Sequence, residues 1–239
     1  SWTNKLERTW KESIIAELKK RDVEVLVNYL PVGSQKTTEF WAEICLETGI
    51  SFVNCIPVFI ASDPAWEQRF IDAGIPLIGD DMRSQFGASI LSQMLQELAF
   101  ERGHHVKAHI QRNVGGNTDF LNMEDKTRLA SKKISKENVI RAQNEIRNIS
   151  TEDSFLHAGP SEYIHFYGDN KVANFRLELE GFGGSPVLLD AQLSVQDSPN
   201  SAGVVIDAIR YLKVARELGV VGALRGPSAF TQKTPPDQM

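Results

Sequence analysis

The sequence offers little that would tie the chain to a structural metal, a nucleic acid or a membrane. Its two cysteines, Cys45 and Cys55, form no CxxC pair and have no histidine cluster nearby, so a structural zinc site is unsupported and a reducing, cytoplasmic setting is expected. The formal net charge of −5 gives no excess of cations for nucleic acid, although an anionic small substrate stays open. No apolar run is long enough for a membrane span, and the first residues lack the charged-then-apolar pattern of a secretory signal. The composition, 41% hydrophobic and 24% charged over 239 residues, is that of an ordinary globular protein.

Common catalytic signatures are also missing. No glycine loop of the GxGxxG type stands between a strand and a helix, and no Ser-His-Asp order or HExxH motif occurs. Hydrolase and zinc-protease functions are therefore set aside.

The first hundred residues alternate between helix and strand patterns. Helices are predicted over 10–20, 38–48, 63–73 and 84–102, with Asp63 as an N-cap, Pro64 at the first helical position and Gly49 as a stop. Strands are predicted over 22–30, 50–58 and 75–78, and their continuous apolar character suits a parallel sheet covered on both faces. This spacing predicts the later part of a doubly wound α/β sheet.

The second half of the chain has a different pattern. A strand is predicted over 106–113, a helix over 137–148, and period-two alternation starts at Lys171 and recurs over 187–195. Such alternation indicates strands with one buried and one solvent-exposed face, in an antiparallel sheet. A helix is expected over 200–218, followed by an irregular tail over 219–239. The expected domains are 1–105, the second half of a nucleotide-binding domain; 106–199, an α+β catalytic and oligomerisation domain; and 200–239, a helix and tail returning to the first.

Three segments have residue types suited to a sugar phosphate. The segment 79–87 runs from a strand end into a predicted helix start, where backbone N–H groups and Ser84 would favour a phosphate; helix capping is the alternative. The segment 113–122 pairs two glycines with asparagines that can bind hydroxyls or an amide, or forms an ordinary Asx-rich turn. Lys132 and Lys136 share one helical face and would stabilise a phosphate or an oxyanion, or form a solvated basic face.

Three further segments are unremarkable taken singly. Residues 168–171 form a turn that leads into a strand, and Asp197 precedes a helix that it would cap. Lys233 lies in the tail, where surface lysines are common.

Together, in order, these segments resemble the myo-inositol-phosphate synthase family, in particular its shorter bacterial and archaeal form. The seven matching segments are NYLPVGS (28–34), GDDMRS (79–84), NVGGNTDFLN (113–122), SKKISK (131–136), GDNK (168–171), DSPNSAG (197–203) and KTPP (233–236). The resemblance implies an α/β fold in which an NAD-binding Rossmann domain is interrupted by an α+β domain that builds a homotetramer. It also implies conversion of D-glucose 6-phosphate to 1D-myo-inositol 3-phosphate by oxidation, enolisation, aldol cyclisation and reduction, with NAD as the cofactor and no net redox change.

The resemblance assigns roles to particular residues of this chain. The catalytic residues would be Lys132, Lys171, Lys233, Asp81, Asp119 and Asp197. The substrate phosphate would be bound by Ser84, Gln85 and Lys136. The cofactor would be lined by Asn28, Pro31, Asn54, Asp81, Asn117, Asp119, Asp169, Asp197 and Ser198. The carboxylates could also hold a monovalent or divalent cation, but no ligand spacing identifies one.

One departure from the family pattern limits these expectations. The family's glycine-rich pyrophosphate loop belongs upstream of this sequence, so the Rossmann domain is expected to be incomplete and the chain to be part of a longer protein. Alternatives are a second chain that supplies the missing half, a degenerate relative, a secondary-metabolism cyclase acting on another sugar phosphate, or a non-catalytic scaffold that oligomerises with a full-length synthase. No nucleic acid or membrane partner is expected.

Overall fold

The computed structural model describes residues 2–122 and 154–237. The helices in these ranges are α1 (Trp2–Lys20), α2 (Gln35–Thr48), α3 (Pro64–Asp72), α4 (Ala88–Glu101), α5 (Thr118–Asn122), α6 (Asp197–Glu217) and α7 (Arg225–Thr231). The strands are β1 (Val25–Asn28), β2 (Ser51–Asn54), β3 (Pro76–Ile78), β4 (His105–Gly115), β5 (Phe155–Tyr163), β6 (Asn170–Glu180), β7 (Pro186–Gln196) and β8 (Gly222–Ala223).

The first sheet is parallel throughout and has the strand order β1-β2-β3-β8. Successive side chains of a strand point to opposite faces, so Phe52 packs towards α1, α2 and α3 while the adjacent Val53 packs towards α6. Both faces are thus covered, as the apolar runs predicted. The predicted α/β class is confirmed.

Local signals set several helix ends as expected. The Asp63 side chain accepts hydrogen bonds from Ala65 N at 2.8 Å and Trp66 N at 3.3 Å, with Pro64 at the first helical position of α3. Gly49 ends α2 in the left-handed region at φ 73°, a conformation that glycine adopts without steric cost.

The second sheet has the order β5-β4-β6-β7. The pairs β4–β6 and β6–β7 are antiparallel, as the alternation predicted, but β5 is parallel to β4, so the sheet is mixed. The dry face of β6, formed by Ala173, Phe175, Leu177 and Leu179, is buried against α4.

Several predictions of the elements were wrong, and the predicted helix over 137–148 lies outside the described residues. Strands β1 and β2 are shorter than predicted, and α1 begins at Trp2 and not at residue 10. Helix α4 begins at Ala88 and not at 84, because Gly87 is extended and residues 83, 85 and 86 are hydrogen-bonded to Thr231 and Asn200. The tail is not irregular: β8 adds to the edge of the parallel sheet beside β3, and α7 follows. A two-residue strand is too short to show a periodic pattern.

In residues 2–122 and 154–237, no helix has the length and apolar character that a bilayer crossing requires.

Candidate functional site

A cavity of about 610 Å³ opens where the carboxyl ends of the parallel strands face the mixed sheet. In open α/β sheets this edge is where ligands bind. Its polar lining comes from both sheets and from the first turns of α4 and α6. The charged lining residues within the described ranges are Asp81, Arg83, Asp119, Lys171, Asp197 and Lys233. Of the predicted site residues, Pro31, Ser84, Asn117 and Ser198 also line it.

One ion pair lies on the mixed-sheet side of the cavity. Lys171, the second residue of β6, places Nζ 2.9 Å from Asp197 Oδ1, and Asn117 Nδ2 donates to the other carboxylate oxygen at 3.1 Å. Burial alone would raise the pKa of Asp197, but Lys171 and Asn117 outweigh it, and the pKa lies below the usual value. The carboxylate is therefore ionised near neutral pH and keeps the lysine ammonium oriented at the cavity wall.

A second ion pair lies on the parallel-sheet side. Lys233 Nζ is 2.9 Å from Asp81 Oδ1, and the side chains are 15% and 4% exposed. The tail reaches this point because it pairs with the segment after β3: Asp80 and Thr234 exchange backbone hydrogen bonds of 2.9 and 3.0 Å, and Lys233 N donates to Asp81 O at 2.7 Å. Tertiary structure thus turns a tail lysine into a buried cavity residue.

Asn117 is held in place by the chain around it. Its Oδ1 accepts hydrogen bonds from Asp119 N at 3.1 Å and Phe120 N at 3.2 Å at the start of α5, which leaves Nδ2 for Asp197. A Cβ on the preceding Gly116 would lie 2.5 Å from both Gly168 N and Ile164 O. Glycine is required there because two backbone segments approach too closely for a side chain.

Asn28 and Asn54, predicted to line the cofactor, lie beneath the cavity and outside its described lining. They end the neighbouring strands β1 and β2 in register, and Asn28 Nδ2 donates to Asn54 Oδ1 at 2.8 Å. Asn54 donates in turn to Asp80, a fully buried carboxylate that also accepts from Ile60 N, Ala61 N and Ser62. Burial raises the pKa of Asp80 to about 6, against the opposing effect of these donors. This network fixes the backbone that carries Asp81.

The other predicted site residues do not line the cavity or lie outside the described residues. Asp169 does not line the cavity; it accepts from Ser198 N at 3.0 Å and Ser198 Oγ at 2.6 Å at the start of α6. Gln85 is exposed, with its backbone tied to Asn200. Lys132 and Lys136 lie outside the described residues. No cluster of His, Cys, Asp or Glu able to hold a metal ion occurs among the residues that the structure describes.

Sequence reasoning missed Arg83 and Gln111 as lining residues, whereas Asn113 belongs to the predicted segment 113–122. Gln111 and Asn113 share one face of β4 and are 3% and 1% exposed, so two buried amides on alternating positions were the available signal. For Arg83 the signal was a lone cation in the segment 79–87.

The chain is similar to known proteins along most of its length. A family model described as myo-inositol-1-phosphate synthase matches residues 87–198. The inositol-3-phosphate synthase of Mycobacterium tuberculosis is 46% identical over 226 residues, which are 95% of this chain and 61% of that protein. Among solved structures, Ari2 matches with a TM-score of 0.78 and 35% identity over 94% of this chain and 61% of its own. A myo-inositol-1-phosphate synthase-related protein from Thermotoga maritima matches with a TM-score of 0.72 and 25% identity over 93% of this chain and 63% of its own.

The chain therefore spans about three fifths of the length of these relatives. The family match includes the segment that holds Asn117, Lys171 and Asp197, and the sequence similarity extends on both sides of it. On these grounds the chain belongs to the myo-inositol-1-phosphate synthase family.

Proposed function

We propose that this chain forms part of an inositol-3-phosphate synthase, which converts D-glucose 6-phosphate to 1D-myo-inositol 3-phosphate in an NAD-dependent, redox-neutral reaction. The proposal rests on one observation: two lysine–aspartate ion pairs, Lys171–Asp197 and Lys233–Asp81, lie on opposite sides of one cavity. Relatives of similar sequence bear the name of this activity.

The chemistry explains why two ammonium groups are needed. Oxidation of C5 to a ketone acidifies the C6 proton, the resulting enolate attacks the C1 aldehyde, and both steps place negative charge on oxygen. Lys171 and Lys233 supply preorganised cations for these oxygens and can donate or accept a proton at them. Asp197 and Asp81 hold each lysine in place, so little reorganisation is needed as charge develops. Lys132 would be a further cation of the same set.

The phosphate is assigned to the first turn of α4. Gly87 at its N-cap has no side chain to occupy the free N–H groups, and Ser84 and Ser89 add hydroxyls to the cavity wall beside it. A Cβ on Gly87 would lie 2.9 Å from Ser84 Cβ, so glycine lets Ser84 fold over the helix end. Lys136 would complete this subsite.

The described lining also fits a nicotinamide. Leu30, Pro31, Val32 and Ile56 form an apolar wall at the carboxyl edge of the parallel sheet, against which the nicotinamide ring would pack. When bound, NAD would take up a hydride from C5 and return it after cyclisation. The cavity carboxylates Asp81, Asp119 and Asp197 would be the oxygen donors for a monovalent or divalent cation.

The proposal is tested by incubating the full-length protein that contains this chain with glucose 6-phosphate and NAD and following the phosphorus NMR spectrum. A new inositol monophosphate signal without net NADH is expected, and it should disappear in Lys171→Met. A different phosphorylated product would replace the proposal with that of a related sugar-phosphate cyclase. Sedimentation velocity of the same sample tests the proposed homotetramer.

A further inference from the structure

Arg83 is a cavity residue whose hydrogen-bonding capacity is largely unused. It lies in the loop between β3 and α4, and its backbone N donates to Thr231 O at 2.8 Å. Within residues 2–122 and 154–237 its side chain makes one hydrogen bond, from Nη1 to Gln93 Oε1, at a long 3.4 Å. Its Nε is buried and has no hydrogen-bond partner among the described residues.

A guanidinium with so few hydrogen-bond partners costs free energy to bury. It has five donors, and buried donors are nearly always satisfied in folded proteins. Burial lowers the pKa of Arg83, and Asp81 opposes that shift only in part. The Asp81 carboxylate is already hydrogen-bonded to Lys233 at 2.9 Å, whereas no carboxylate lies within salt-bridge distance of Arg83 in the described ranges. The unused donors therefore favour an anion that arrives in the cavity.

The surroundings indicate which anion would fit. Ser84 follows Arg83 directly, and Ser89 and Gly87 line the same stretch of wall. A planar guanidinium matches two phosphate oxygens at once, which a lysine ammonium does not.

We propose that Arg83 binds the phosphate monoester of the sugar substrate through its guanidinium fork and so distinguishes phosphorylated from unphosphorylated sugars. This inference rests on the proposed function for the nature of the sugar, but its test measures binding and needs no turnover.

The test compares the protein with Arg83→Met, Arg83→Lys and a control, Arg112→Met, which removes an exposed arginine on β4. Affinity for glucose 6-phosphate, glucose and NAD is measured by calorimetry, and Tm by scanning calorimetry without ligand. Arg83→Met should weaken glucose 6-phosphate by about tenfold or more, because a bidentate charge-assisted contact is lost, and should leave NAD and glucose unchanged. Arg83→Lys should recover only part of the affinity.

Arg83→Met should also raise Tm by about 2 to 4 °C, since it removes a poorly paired charge. A purely structural arginine would give the opposite sign, because its loss would lower Tm. Arg112→Met should change neither quantity.

Any of three calorimetric results would overturn the proposal: affinity of Arg83→Met for glucose 6-phosphate within twofold of the parent, a lower Tm together with weaker binding of every ligand, or a loss of affinity confined to NAD. The last would assign Arg83 to the cofactor diphosphate. Failure of the proposed function is a separate result: glucose 6-phosphate would bind through Arg83 without yielding an inositol phosphate. Conversely, normal turnover with an unchanged KM in Arg83→Met would leave the function standing and remove this inference.

Discussion

His109 should make the stability of this protein fall in mild acid. It lies on β4 with no exposed surface, Nε2 is 2.7 Å from Ser92 Oγ, and Nδ1 is 3.0 Å from Gln96 Oε1. Burial lowers its pKa from 6.5 to about 4, so the fold prefers the neutral ring. The stabilisation is fully present above the unfolded pKa of 6.5 and is lost as pH falls through about 4. At about 1.4 kcal/mol per pKa unit, that interval corresponds to a loss of about 3 kcal/mol of unfolding free energy.

The measurement is urea unfolding followed by far-UV circular dichroism at several pH values from about 7 down to about 4.5. His109→Gln can keep both polar contacts but cannot titrate, so its unfolding free energy should fall less on acidification than that of the parent. His157→Gln is the matched control, because His157 is exposed on β5.

Asp80 requires the comparison to be made as a difference. Its pKa is raised by burial from 3.8 to about 6, so its contribution has the opposite sign and stability gains as pH falls through that interval. Asp80 is present in parent and variant alike and cancels between them. Equal losses in parent and His109→Gln would refute the reasoning, since another group would then cause the acid sensitivity.

The remaining predictions concern the cavity. Lys171→Met should lower kcat/KM by about a hundredfold or more and cost about 2 kcal/mol of stability, because it leaves the Asp197 carboxylate largely buried without its cation. The double variant with Asp197→Asn should recover the stability in urea unfolding but not the activity, and recovery of both would mean that the pair is only structural. Gly116→Ala should destabilise by about 2 to 4 kcal/mol, because its Cβ would overlap backbone atoms at 2.5 Å. Gly159→Ala, where a Cβ meets nothing within 4 Å, should change the denaturation midpoint little.

The regular parts of the fold were predictable because they repeat. Alternation from Lys171 onwards identified Phe175 and Leu177 as core residues, and both are at most 2% exposed. A period of two needs several residues to be visible, so the two-residue strand β8 escaped notice. The start of α4 was misplaced for a different reason: Ser84 and Gln85 have adequate helix propensity, but the loop's hydrogen bonds to distant Thr231 and Asn200 keep it out of the helix.

The members of the candidate site were predictable, but the pairs they form were not. Resemblance to the family selected Lys171, Lys233, Asp81 and Asp197. The paired residues lie 26 and 152 positions apart in sequence, and no local pattern shows which carboxylate accompanies which lysine. Asn28 and Asn54 show the converse. They lie at the carboxyl edge of the parallel sheet, as predicted, but their side-chain amides form hydrogen bonds with each other, with Thr38 and with Asp80. Whether a polar side chain faces a cavity or a buried partner depends on packing that sequence spacing does not contain.

Each of the two ion pairs lies within one side of the cavity, so neither pair spans it. Lys171 and Asp197 both belong to the mixed-sheet side, while Lys233 and Asp81 both belong to the parallel-sheet side. Each cation is therefore neutralised by a carboxylate on its own wall, and a change in the gap between the walls would break neither pair. Helix α6 links the two sides, since Asp197 opens it at the cavity while Val204, Ala208 and Leu212 pack against the parallel sheet. Its Asn200 also exchanges hydrogen bonds with Phe86 in the loop before α4. Because one helix fixes both the core of the parallel sheet and the position of Asp197, the packing that stabilises the fold also sets the distance between the two ammonium groups across the cavity.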